Sequence, residues 1–179
     1  MNMFGNGYPG VFGLPKHSPN TTPKNIDAMA EITEKVKVPI ATGERIFTKF
    51  GFFEVLKKTK VAVIQPDLSI SGGIMEGKKI AAIAEARYIG IAPHNPYGPI
   101  LTAASLHLDA CTPNFVIQEY CSLGEGILKN PFEIKDGYIE IPDGPGLGID
   151  IDEQALAKRP YVPKDVPRLY HEDGAVGDW

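Results

Sequence analysis

Apolar residues along the chain switch between two periods. Four short apolar runs alternate with stretches at helical spacing, and each run ends in one ionisable residue. Pro39-Ile40-Ala41-Thr42-Gly43 leads to Glu44, and Val61-Ala62-Val63-Ile64-Gln65-Pro66 to Asp67. Ile89-Gly90-Ile91-Ala92-Pro93 leads to His94, and Phe115-Val116-Ile117-Gln118 to Glu119. Prolines in these runs oppose helix, and unbroken apolar runs suit strands buried on both faces. Strands are predicted over 39–42, 62–65, 89–92 and 116–118. Between them the spacing turns helical. Asn25 is a good N-cap before Ile26, Met29, Ala30 and Thr33, and Phe52, Val55 and Leu56 mark a helix through about Lys58. Gly72-Gly73 opens a long helix through about Tyr88, with Ile74, Ala81, Ala84 and Glu85 at helical spacing. Pro99, near a first turn, starts a helix over 100–110. The order α-βα-βα-βα-β implies a parallel sheet.

The four terminal residues lie 23, 27 and 25 positions apart (44 to 67, 67 to 94, 94 to 119), about one βα unit each. Parallel α/β folds carry their chemistry at the carboxyl ends of their strands. Four polar groups on one face of one sheet are therefore predicted.

Outside this region the texture differs. Residues 1–24 are rich in Gly, Pro, Asn and Thr, without period, and read as an irregular arm. No Asp or Glu precedes Asp27. The stretch 132–141 alternates around Asp136-Gly137, a hairpin signal. Pro142-Asp143-Gly144-Pro145-Gly146-Leu147-Gly148 follows that ribbon and opens no helix, which excludes a dinucleotide loop. Asp152 caps a short helix over 153–158, and 160–179 is broken by proline. The reading divides the chain into an arm (1–24), a βα region (25–130) and a hairpin with tail (131–179).

A length of 179 residues, 43% of them hydrophobic, suits one ordinary domain. The net charge of −4 gives no reason to expect nucleic acid or an anionic membrane surface. No run is long enough to span a bilayer, and no secretory signal opens the sequence. Cys111 and Cys121 show no Cys-x-x-Cys spacing, so they read as reduced thiols in a cytoplasmic protein and not as a zinc site.

Each terminal residue has a chemical and a plain reading. His94 is suited to general-base work near neutral pH, or is a structural loop histidine. Asp67, ending the neighbouring strand, could hold the imidazole's tautomer, or simply cap a turn. Glu44 suits a hard cation such as Mg²⁺, or pairs with Arg45; a single carboxylate makes no metal site. Glu119 could bind a substrate oxygen or a developing enolate, or sit solvated at an edge. His107, inside an apolar helix, reads as structural. His17 and His171 lie in irregular segments and receive no role.

Pro39 through Arg45, Gln65-Pro66-Asp67, Ser71-Gly72-Gly73-Ile74, Ala92-Pro93-His94-Asn95-Pro96 and Ile117-Gln118-Glu119 occur in an order and spacing that resembles the enolase superfamily. The branch is that of mandelate racemase and muconate lactonizing enzyme. Within it the chain is most similar to acid-sugar dehydratases of the galactonate dehydratase type. Residues 142–149 and the ending His171-Glu172-Asp173-Gly174 to Trp179 match that group too. The resemblance covers about 26–179. It implies an α/β fold, the C-terminal half of a TIM-type (β/α) barrel with four parallel strands, a hairpin and an irregular tail. It implies Mg²⁺ held by Glu44, His94 as the base paired with Asp67, and Glu119 together with His94 contacting substrate. The reaction implied is a carbon–oxygen lyase step: removal of an α-proton, an enolate, then loss of water to a 2-keto-3-deoxy sugar acid.

The chain also departs from that pattern. Two metal carboxylates and a second acid/base group would come from strands before Glu44, where nothing acidic precedes Asp27. The expectation is an incomplete half, inactive alone, that self-associates or meets a missing N-terminal half because its sheet edges are open. The alternatives are a non-catalytic remnant or scaffold, or a racemase or epimerase of the same branch.

Overall fold

The structure is a computed structural model and describes residues 25–163 together with Tyr170 and Gly174. The arm at 1–24, His17, His171 and most of the tail lie outside the described residues.

Helix α1 (Ile26–Lys35) starts where the Asn25 side chain accepts a hydrogen bond from the Ala28 N–H at 3.0 Å. It buries Met29 and Thr33. Strand β1 (Ala41–Thr42) leads to α2 (Thr48–Lys58), whose inner face is Phe52, Val55 and Leu56. Strand β2 (Val63–Ile64) is followed by a single-turn helix, α3 (Leu68–Ser71), and then α4 (Gly73–Glu85). The long helix expected from Gly72-Gly73 is present as α4 and stops at Glu85, short of Tyr88, while α3 is an addition before it. The two helices meet at Gly72, whose φ of 119° is open to glycine and not to ordinary residues. Strand β3 (Gly90–Ile91) precedes α5 (Pro99–Ala110), which has proline in its first turn.

The three strands pair in parallel in the order β1-β2-β3, with Ala41 beside Val63 beside Gly90, and Thr42 beside Ile64 beside Ile91. Ladder bonds run one residue past the named ends: Gln65 N–H donates to the Thr42 carbonyl and Ala92 N–H to that of Ile64, both at 2.9 Å. One face of the sheet is dry. Ile40, Ile64 and Ile91 pack there with Phe52, Leu56, Ile80 and Leu108 in a single core. Val63, Gly90 and Val116 share the other face: a Cβ placed on Gly90 would lie 2.6 Å from Val116 Cγ2 and 3.6 Å from Val63 Cγ2. That face stays partly open, with Val116 49% exposed.

The expected fourth strand, 116–118, is corrected to a single bridge. Phe115 lies parallel beside Ile91, held by bonds from Ile91 N to Asn114 O and from Val116 N to Ile91 O. Pro93 explains the stop. It has no N–H to continue the ladder, and the Gln118 side-chain amide takes the Pro93 carbonyl instead at 3.1 Å.

After the βα region, β4 (Ile134–Lys135) and β5 (Tyr138–Ile139) pair antiparallel. Asp136 and Gly137 between them both have positive φ, as a two-residue primed turn requires. Helix α6 (Glu153–Ala157) is capped by Asp152. His107 Nε2 contacts the Leu147 carbonyl at 3.2 Å and so ties the glycine-rich loop to α5. No helix among the described residues is long and apolar enough to cross a membrane.

Candidate functional site

Each of the four residues lies just past the carboxyl end of its strand position. The approach to Glu44 depends on Gly43, with φ of 145°. A Cβ there would stand 2.7 Å from the Gln65 backbone nitrogen and 2.9 Å from the Phe52 ring, so only glycine lets β1 and β2 close behind the carboxylate. Asp67 follows Pro66 and caps α3. Its Oδ1 accepts from Ser69 N–H at 2.8 Å and from the Ser69 hydroxyl at 2.6 Å. The cap reading and the partner reading of Asp67 are both realised, one on each carboxylate oxygen: its Oδ2 lies 3.0 Å from His94 Nδ1.

His94 is placed by its own N–H, which donates to the Pro66 carbonyl at 3.1 Å. Its other ring nitrogen, Nε2, lies 3.3 Å from Glu44 Oε2 and 3.8 Å from Glu119 Oε2. Glu119 Oε2 also accepts from the Asn95 backbone N–H at 2.9 Å. One imidazole thus meets carboxylates from three neighbouring strand ends. The side chains are 22% (Glu44), 1% (Asp67), 12% (His94) and 25% (Glu119) exposed, so Asp67 is buried while His94 and the two glutamates are half-buried.

The charges follow from this geometry. Burial pulls the imidazole pKa down, but the hydrogen bond to Asp67 and the fields of Glu119 and Glu44 outweigh it and hold His94 above its ordinary 6.5. Burial works to raise Asp67, yet the bonds from His94 and Ser69 win, leaving it below its ordinary value and ionised. Burial raises Glu44, Glu119 adds to the rise, and His94 opposes it. An ionised Asp67 can only accept, so Nδ1 carries a proton. Nε2 is therefore the atom that gives or takes one, and it faces the carboxylates of Glu44 and Glu119.

Sequence reasoning missed the supports. Asn95 is buried and donates through its side-chain nitrogen to Thr102 Oγ1 at 2.7 Å, fixing the loop after His94 to the first turn of α5. Ser69 could have been found: it stands two residues after a capping aspartate, at the position whose N–H such a cap engages. Gln118 gives no sequence signal, because its role depends on Pro93, 25 positions away.

The fit to a divalent cation is partial. Glu44 offers a hard oxygen at the rim, but the described residues include no group of three or more His, Cys, Asp or Glu side chains placed to hold a metal. The residues described do not by themselves fit a magnesium centre.

A parallel βα sheet with helices on one face and an acid–base cluster at its carboxyl ends defines a barrel-type α/β domain. The comparisons with known proteins narrow this. The sequence profile described as "Enolase C-terminal domain-like" matches residues 19–155, and the chain belongs to that family. A D-galactonate dehydratase of Ralstonia pickettii is 41% identical over 165 residues, 86% of this chain and 43% of that protein. One from Xanthomonas oryzae pv. oryzae is 43% identical over 161 residues, 83% of this chain and 42% of the relative. Among solved structures, an enolase from Agrobacterium radiobacter bound to sodium and L-malate superposes with a TM-score of 0.78 at 34% identity, covering 87% of this chain and 44% of that one. A mandelate racemase/muconate lactonizing enzyme from Jannaschia sp. CCS1 gives 0.75 at 33% identity, covering 80% and 38%. The chain thus spans less than half the length of the curated relatives it matches.

Proposed function

We propose that this chain carries the acid–base half of an acid-sugar dehydratase site, acting in the breakdown of sugar acids. The single observation behind this reading is the placement of His94, with Nδ1 on Asp67 and Nε2 between Glu44 and Glu119. Nε2 takes the α-proton of a sugar acid. The C–H electron pair moves into the carboxylate to form an enolate. The enolate pair then returns to expel the β-hydroxyl, which takes a proton from a second acid group outside these residues and leaves as water, and the resulting enol becomes a 2-keto-3-deoxy acid. Glu119, held by the Asn95 N–H, contacts a substrate hydroxyl. Bound Mg²⁺ would supply positive charge at the substrate carboxylate, with Glu44 as one of its oxygen ligands. Further carboxylates are needed for that ion, so we assign the isolated chain to the inactive state. The exposed free thiols of Cys111 and Cys121 suit a reducing, cytoplasmic setting.

A second reading, a non-catalytic remnant or self-associating scaffold, is favoured by the lack of a metal-ligand cluster among the described residues and by the partly open sheet face. An assay with D-galactonate and Mg²⁺ separates the readings. Keto acid formed by the wild type and lost in His94→Asn means a working enzyme and overturns the assignment of inactivity. Inversion at the α-carbon without water loss means an epimerase. No product at any magnesium level, restored by a polypeptide carrying the remaining barrel strands, is the expected result. No restoration leaves the scaffold.

A further inference from the structure

We infer that Ser69 is a positioning residue for His94, acting through Asp67 as the third member of a Ser–Asp–His relay. This rests on reading Nε2 of His94 as the base. A carboxylate with one engaged oxygen can swing about its Cβ–Cγ bond and exchange oxygens. Asp67 cannot. Ser69 engages Oδ1 twice, through its backbone N–H at 2.8 Å and its hydroxyl at 2.6 Å, and so leaves Oδ2 to face Nδ1 at 3.0 Å. The Asp67 side chain is 1% exposed, so with Ser69 in place its oxygens are held by these protein donors and not by bulk water. The backbone bond alone fixes one direction. The hydroxyl bond, at a second angle, fixes the carboxylate plane and with it the plane of the imidazole. Ser69 itself stands on the first turn of α3, whose start Asp67 caps. One serine therefore couples helix initiation to the orientation of the base.

The consequence is a single tautomer for neutral His94: protonated on Nδ1, with its lone pair on Nε2. Nitrogen-15 NMR of the imidazole in the whole chain, at a pH where His94 is neutral, reads this directly. The wild type is expected to show a pyridine-type Nε2 and a pyrrole-type Nδ1. In Ser69→Ala, whose backbone donor remains, the two signals move toward each other as the tautomers mix. In Ser69→Thr, which keeps the hydroxyl, the wild-type pattern returns. If Ser69→Ala keeps the wild-type pattern, Ser69 has only a capping role and the inference fails while the base assignment stands. If the wild type carries its proton on Nε2, the base assignment fails first. Should Ser69→Ala not fold, the pair Ser69→Thr and Ser69→Val, alike in shape and differing in the hydroxyl, decides: a pattern kept in the threonine variant and mixed in the valine variant supports the inference, and a pattern kept in both overturns it.

Discussion

At the scale of single residues, the chain holds two kinds of buried carboxylate. Asp67 is ionised because three donors surround it. Asp109, on α5, has both carboxylate oxygens buried without a hydrogen-bond partner, and burial pushes its pKa up to about 8. The sign of its effect on stability follows. Its folded pKa lies above the ordinary 3.8, so the folded chain holds a proton that the unfolded chain has released. Stability is fullest below about pH 4 and falls as pH rises toward 8, by at most about 1.4 kcal/mol per pH unit. Denaturant melts from pH 5 to 8 should show this decline in the wild type and a flatter profile in Asp109→Asn. Asp109 was not legible beforehand. Its signal is the environment of its side chain, which no local pattern records. His94 and Asp67 were legible because each ends an apolar run, a pattern the sequence displays openly.

At the scale of elements, the strand and helix order was readable because each βα unit repeats one alternation of periods. The fourth strand was overread, because Phe115-Val116-Ile117 looks like its predecessors. The ladder fails at Pro93, on the neighbouring strand, and a pattern within one run cannot show that. Helix α3 was missed for the opposite reason: four residues are too short for a period to register. The placement of the loop after β3 depends on α5. Asn95 and Thr102 are both fully buried and bonded to each other. Thr102→Val keeps the shape and removes the acceptor. It should cost about 1–3 kcal/mol, because the Asn95 amide stays buried without that partner. It should also broaden the His94 ring signals, since the loop behind them loosens. Thermal melts and NMR linewidths check the two effects, and an unchanged melting point would show that the bond carries no net stability.

At the scale of the whole molecule, the parallel sheet has one finished face and one unfinished face. Parallel sheets are ordinarily covered on both sides. Here the helices cover the face of Ile64 and Ile91, while Val63, Gly90 and Val116 look outward. Phe50 and Met75, each 70% exposed, add apolar surface on the helical side. Two copies, each contributing three parallel strands and the Phe115 bridge, offer open sheet edges, so we predict self-association. Sedimentation velocity at tens of micromolar should show dimers or larger species; a monodisperse monomer would count against it. The most direct test of the account returns to the cluster that these strand ends build together. An NMR titration of His94 in the wild type and in Asp67→Asn should place the wild-type midpoint above 6.5 and the variant's clearly lower. A wild-type midpoint at or below 6.5, unmoved by the substitution, would contradict it.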